Sequence, residues 1–551
     1  MMKDFKKSTV YQIYPKSFKD TTGNGVGDIR GITEKLDYLE QLGVDYIWST
    51  PFFLSPQNDN GYDVADYYGI EPSYGTMEDV EELIAEGKKR GIGLMLDMVF
   101  NHTSTEHEWF KKAMEGDPYY KDFYIFRKGE NGLPPTNWTS KFGGSAWEYT
   151  EETGEYYLHL FDRTQADLNW DNPNVRRELV NVLKFWIEKG VEGFRFDVVN
   201  LISKPGIFTD DEEGDGRRFY TDGPHVHEYL NEMCRESGIW EKGLVTVGEM
   251  SSTTMDNCIR YSRPSSRELS MCFNFHHLKV DYKNKDKWQL QEFDFAELKS
   301  LLHGWQKGME NGDGWSAVFW NNHDQPRALS RFGDDEKYPL ESAAMLAMTI
   351  HLMRGTPYIY QGEEIGMTNA GFTEIGQYRD VESVNYFTIL KEKGIDKEEI
   401  YHILRERSRD NSRTPMQWDE SKNAGFSDYT PWISVNKNFS EINVRNCLQD
   451  RGSVWYYYKR LVELRKQYDV IAYGGYTPLQ EDHDSVFAFK RTYRGQTLLV
   501  FSNFYGTEAE MTIEESGLEE YNCLLTNYQE RKLANKFSLQ PYESVAFLRE
   551  E

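Results

Sequence analysis

Short runs of apolar and β-branched residues recur along the chain, at 10–14, 46–48, 94–100, 193–199, 244–248, 271–275, 317–320 and 357–360. Between many of them the apolar positions change to a spacing of three and four, as in 29–42, 78–90, 175–189, 295–307 and 340–353, the mark of helices with one buried face. Eight such strands alternating with amphipathic helices predict an α/β protein built on a (β/α)8, or TIM, barrel.

Two stretches break this rhythm. After the third strand, residues 101–170 form an irregular segment rich in Gly, Pro, Trp and Tyr, too long for a simple connection, which predicts an inserted domain. Beyond a last helix at 461–466 the pattern becomes one of alternation, in 485–490, 496–501 and 544–548, which predicts a C-terminal antiparallel β-domain. The expected domains are a barrel of residues 1–100 and 171–475, the insert at 101–170 and a β-sandwich at 476–551.

The 551 residues carry a formal net charge of -27, a field that repels nucleic acid and acidic membranes. An anionic substrate would need a local basic island. The N-terminal MMKDFKK lacks the apolar core of a signal peptide, and no apolar run reaches the length of a membrane span, so a cytoplasmic protein is expected, acting as a monomer. Five cysteines without a CxxC or Cys/His cluster predict reduced, structural thiols. Aromatic residues, 15% of the chain, suit a sugar binder, though core packing accounts for most of them.

Three acids end strand-like runs: Asp197 in GFRFDVV (193–199), Glu249 in VTVGEM (245–250) and Asp324 in FWNNHD (319–324). Singly, each reads as an ordinary ion pair at a strand end. Together, at the end of a parallel barrel where chemistry collects, they offer the acid and the nucleophile or base that glycosidic cleavage requires. Arg195, two residues before Asp197, shares its face and is expected to lower the Asp197 pKa. Glu249, with no cation adjacent in sequence, is expected to have a raised one, as a general acid needs.

The segments DMVFNH (97–102), GFRFD (193–197), VGE (247–249) and NHD (322–324) resemble, in order and spacing, the four signature regions of the α-amylase family, family 13 of the glycoside hydrolases. The resemblance covers essentially the whole chain. It implies a retaining α-glycosidase with Asp197 as nucleophile, Glu249 as general acid/base and Asp324 as transition-state stabiliser. It further implies sugar contacts from His102, Arg195 and His323, an aromatic platform at Tyr62, and a grip on the terminal 4-hydroxyl by Asp63 and Arg409, as in exo-acting α-glucosidases.

YIYQGEEIGM (358–367) and RDNSRTPMQW (409–418) resemble several exo-acting α-glucosidases alike and do not separate their substrates. GDGRRFYTDGP (214–224) and GEMSSTT (248–254), with FNFHHLKVDY (273–282), resemble the members that take a phosphorylated disaccharide. A phosphate needs cations. Those on offer are Arg217 and Arg218 after the fourth strand and His276, His277, Lys279, Lys283, Lys285 and Lys287 after the sixth, with Lys279 preferred and Lys283 and Lys285 read as solvated. The rivals are an α-glucosidase of 1,6-linked oligosaccharides and a non-catalytic binding subunit, the latter disfavoured by the complete carboxylate set.

No cofactor is required for this chemistry. DTTGNGVGD (20–28) spaces Asp20, Thr22, Asn24, the Val26 carbonyl and Asp28 like the first part of an EF-hand loop, without the closing Glu. The segment reads equally as a structural Ca2+ site and as a simple Gly/Asn turn.

Overall fold

The computed structural model describes residues 3–550. All eight expected strands are present: β1 Val10–Ile13, β2 Tyr46–Ser49, β3 Gly93–Met98, β4 Gly193–Phe196, β5 Val245–Glu249, β6 Met271–Phe273, β7 Ala317–Val318 and β8 Thr356–Tyr360. They run parallel in the order β6-β5-β4-β3-β2-β1-β8-β7. A parallel bridge between Cys272 and Ser316 nearly closes the ring. Most strand residues are buried on both faces, against the barrel interior or the surrounding helices.

The helices begin and end where local chemistry directs. Pro173–Lys189 starts at Asn172, whose side chain accepts from the Asn174 N–H, has Pro in its first turn and stops at Gly190, φ 101°. The helix expected over 29–42 is divided at Lys35 into Ile29–Glu34 and Leu36–Leu42.

Between β3 and β4 the chain forms two small antiparallel sheets. His102–Ser104 pairs with Gln165–Asp167, and Glu155–Leu158 lies between Phe126–Arg127 and Trp147–Thr150. The core of this insert, with Trp138, Trp147, Leu158 and Leu160, is continuous with Val198 and Leu201 just beyond β4. The insert is thus packed directly on the loop that follows Asp197.

After β8 lies a second excursion that the sequence pattern did not reveal. Helices Val381–Glu392 and Lys397–Arg407 and the preceding loops surround a separate core of Phe372, Tyr378, Ile400, Leu404 and Trp288. Only Ser383 and Leu390 of the first helix are buried, too few to produce an apolar stripe.

The C-terminal part is a five-stranded antiparallel sheet, in the spatial order Gly475–Leu479, Val486–Tyr493, Gln496–Asn503, Ser544–Glu550, Asn522–Thr526, with a two-stranded ribbon of Ala509–Thr512 and Lys536–Leu539. Phe487, Phe489, Leu498 and Val500 join the barrel core, while the alternate residues Val486, Ala488, Leu499 and Phe501 pack on Phe537 and Leu539 of the ribbon. The five described cysteines are free thiols. Among the described residues, no helix is long and apolar enough to cross a membrane.

Candidate active site

Strand register assembles the centre. Asp97 on β3 lies opposite Arg195 on β4, and Phe196 lies opposite Gly248 on β5, so Asp197 and Glu249 are one rung further toward the C-terminal rim. Arg195 is buried, and its Nη1 donates to Asp97 Oδ1 at 2.6 Å and Asp197 Oδ1 at 2.7 Å. Its Nη2 lies against Glu249 Oε2. Glu249, which has no cation beside it in sequence, meets one in space: both carboxyls meet one guanidinium. Asp97, which also accepts from Trp48 Nε1 and the Tyr62 hydroxyl, supplies the fixed negative charge behind it.

The expected lowering of the Asp197 pKa is corrected. Burial dominates and raises it to about 6, with Arg195 pulling down and Asp97 pushing up. At neutral pH the carboxyl is still mostly ionised. Val198, the next residue, has φ 35°, a left-handed conformation costly for a β-branched side chain.

Asp324 is held at the opposite wall. Its Oδ1 accepts from Arg413 Nη2 at 2.6 Å and lies 3.4 Å from Arg409 Nη1, and its Oδ2 is 3.4 Å from His323 Nε2. Burial opposes its ionisation, but the charges of Arg409 and Arg413 outweigh that and hold the carboxyl far below the usual range. Burial keeps His323 neutral, with a pKa of about 3. Gln12 Nε2 donates to its Nδ1 at 2.8 Å, leaving the ring proton on Nε2, which has no hydrogen-bond partner of its own. The His323 ring stacks on Tyr62 at 5.2 Å between centroids. His102 sits beside the same tyrosine, its Nε2 donating to the Tyr62 carbonyl at 3.1 Å.

Asp63 does not face Arg409. It is fully buried and accepts from Ser55 Oγ, Asn58 N and Asp59 N, locking its own turn. Asp59 takes the place expected of it: its Oδ1 is 3.4 Å from Arg409 Nη2, and burial raises its pKa to about 7 against the pull of Arg409 and Arg413. The Asn60-Gly61 turn between them, with φ of 50° and 103°, decides which acid faces the site. Asp380, unmarked in the sequence, accepts from Arg409 Nε at 2.9 Å and Nη2 at 2.5 Å. The Phe142 ring, from the insert, lies 5.0 Å from the Arg409 guanidinium carbon.

The basic residues separate into groups. Arg218 pairs with Asp211 at 2.8 Å and Lys287 with Glu382 at 2.6 Å, so each expected phosphate ligand already has an acid. His277 is buried, with Nε2 on the Phe319 carbonyl, and Lys283 and Lys285 are exposed. Lys279 remains. The surrounding protein and then the Arg217 charge lower its pKa, and no carboxylate opposes them. Arg217 pairs with Asp215 at 3.1 Å. The Lys279 loop is fixed by Asp281, which accepts from Arg331 through both oxygens and from Arg407 at 2.7 Å.

In the 20–28 loop the candidate oxygens are engaged by the loop's own donors in this structure. Asp20 accepts from Thr22 N, Thr22 Oγ1, Gly23 N, Gly25 N and Ser427 Oγ; Asp28 accepts from Thr21 N, Thr21 Oγ1 and Gly31 N; Asn24 Oδ1 accepts from Val26 N. These hydrogen bonds close the loop on itself. Among the described residues, no group of three or more His, Cys, Asp or Glu is arranged to hold a metal.

The sequence and fold find close relatives. The α-amylase catalytic domain matches residues 12–474, and the C-terminal domain described for α-amylase SusG matches residues 486–546. The chain belongs to the α-amylase family. It is 56% identical to a trehalose-6-phosphate hydrolase of Bacillus subtilis (strain 168), with 98% of each chain covered. An Escherichia coli (strain K12) protein of the same name is 53% identical, covering 99% of this chain and 98% of the relative. An oligo-1,6-glucosidase of Halalkalibacterium halodurans is 47% identical over the same shares. The crystal structure of Bacillus licheniformis trehalose-6-phosphate hydrolase superposes with a TM-score of 0.95 at 56% identity, covering 99% of this chain and 100% of that one.

Proposed function

We propose that this protein is a retaining, exo-acting α-glucosidase that hydrolyses trehalose 6-phosphate to glucose and glucose 6-phosphate. Asp197 attacks the anomeric carbon of the unphosphorylated glucose while Glu249 gives its proton to the bridging oxygen, releasing glucose 6-phosphate. Glu249 then takes a proton from water as it displaces Asp197 and frees glucose. The two carboxyls on the arms of one guanidinium suit the narrower spacing of a retaining pair, about 5 to 5.5 Å. Asp324 and the unpartnered His323 N–H are placed to hold ring hydroxyls, with Tyr62 beneath.

Arg409 is held against Asp59 and the Phe142 ring, an arrangement that would close the far end of the glucose pocket and favour removal of one terminal unit. The choice of substrate rests on one observation: Lys279, whose charged neighbour is Arg217, has no ion pair of its own among the described residues. A dianionic phosphate fills that need, whereas a neutral 1,6-linked sugar leaves the cation uncompensated. A charged sugar does not cross a bilayer unaided, so a substrate phosphorylated inside the cell would be met in the cytoplasm.

Replacing Lys279 by Ala tests the reading. The loss of kcat/KM on trehalose 6-phosphate is expected to exceed that on p-nitrophenyl α-glucoside by about tenfold or more, as for a charge-assisted hydrogen bond. Equal losses would remove Lys279 from the phosphate site.

A further inference from the structure

A lysine from the insert, in none of the signature segments, faces the same rim. Lys141 Nζ donates to Ser251 Oγ at 3.1 Å, and Ser251 is two residues beyond Glu249. Ser251 is itself pinned by Asn200, whose side chain accepts from its N–H at 2.8 Å and donates to its carbonyl at 2.9 Å. The Lys141 ammonium lies over the rings of Phe161, at 5.8 Å, and Tyr220, at 5.7 Å. Phe161 packs on His102, and the adjacent Phe142 packs on Arg409. Lys141 therefore stands against the Glu249 loop, with its neighbours Phe161 and Phe142 on His102 and Arg409.

We propose that Lys141 is a ligand of the substrate phosphate, completing with Arg217 and Lys279 a three-cation site contributed by the insert and by the loops after β4 and β6. This rests on the trehalose 6-phosphate reading and adds a residue to it. Each of the three cations acts electrostatically on another: Arg217 and Lys279 on Lys141, and Arg217 on Lys279. Asp215 and Asp167 act on Lys141 in the opposite sense, and each has a cation of its own, Arg217 and Lys204. Burial first, then the two cations, bring the Lys141 pKa down to about 7, and an arriving phosphate stabilises the protonated form of this amine. The insert thereby acquires a direct part in substrate choice.

The test compares Lys141→Ala and Lys141→Arg with the parent enzyme on trehalose 6-phosphate and on p-nitrophenyl α-glucoside. For Lys141→Ala the loss in kcat/KM on the phosphorylated sugar is expected to exceed that on the aryl glucoside by about tenfold, with Lys141→Arg recovering part of the difference. Equal losses would mean that Lys141 only props Ser251 and the Glu249 loop, and no loss on either substrate would exclude it from the site; both overturn the proposal. A parent enzyme that does not prefer trehalose 6-phosphate over trehalose would instead overturn the underlying reading, which the alanine variant does not decide.

Discussion

Arg195 Nη1 lies 2.7 Å from Asp197 Oδ1, inside a barrel where burial favours the protonated form of that carboxyl. Burial still prevails in part, leaving the pKa at about 6, so the nucleophile is ionised above that value and lost below it. The kcat/KM profile is expected to fall on its acid side with a midpoint near pH 6, since kcat/KM reports the free enzyme. Arg195→Gln removes the attraction and should move that midpoint upward as well as lowering the rate. An unmoved midpoint in the variant would assign the limb to another group.

Asp197→Asn keeps the shape of the side chain and removes its nucleophilicity. Turnover should fall by orders of magnitude while the thermal transition stays within a few degrees of the parent. Residual activity near the parent level would exclude Asp197 as nucleophile.

Asp59 and Asp63 separate binding from stability. Asp59→Asn should lower kcat/KM by about tenfold or more with little change in stability, because it weakens the Arg409 grip. Asp63→Asn should cost about 1–3 kcal/mol of stability, since its buried carboxylate satisfies three donors of the turn. The reverse pattern, measured by denaturant unfolding and steady-state kinetics, would restore Asp63 to the sugar site.

This pair also shows where sequence reading stops. The barrel strands were legible because burial on both faces leaves uninterrupted apolar runs, and the Asp97–Arg195–Asp197 grouping follows from parallel register once those strands are placed. Asp59 and Asp63 flank one Asn-Gly turn, and only the backbone path through it shows which points at Arg409, 350 residues away. Asp380 and Lys141 reach the site from loops whose folding depends on tertiary packing, and neither carries a local pattern. Likewise, composition could count the basic residues but not show that Arg218 and Lys287 are already paired with Asp211 and Glu382.

Because the 20–28 loop is closed by its own hydrogen bonds, dialysis against a chelator should leave both activity and the melting temperature unchanged. A drop of several degrees, reversed by Ca2+, would show that the loop rearranges around a metal.

Asp281 holds the Lys279 loop to Arg331 and Arg407, and burial is outweighed by these two cations, so its pKa lies below the ordinary value. Asp281→Asn should raise KM for trehalose 6-phosphate more than for an aryl glucoside, by loosening the loop without touching the carboxylates. Identical effects on both substrates would confine Asp281 to general stability.

The most direct measurement is kcat/KM for trehalose 6-phosphate, trehalose and isomaltose, determined side by side on the purified protein. The account predicts that trehalose 6-phosphate is preferred by about a hundredfold or more, the combined effect of several charge-assisted contacts to one phosphate. Faster hydrolysis of isomaltose, or equal rates on trehalose with and without its phosphate, would contradict it.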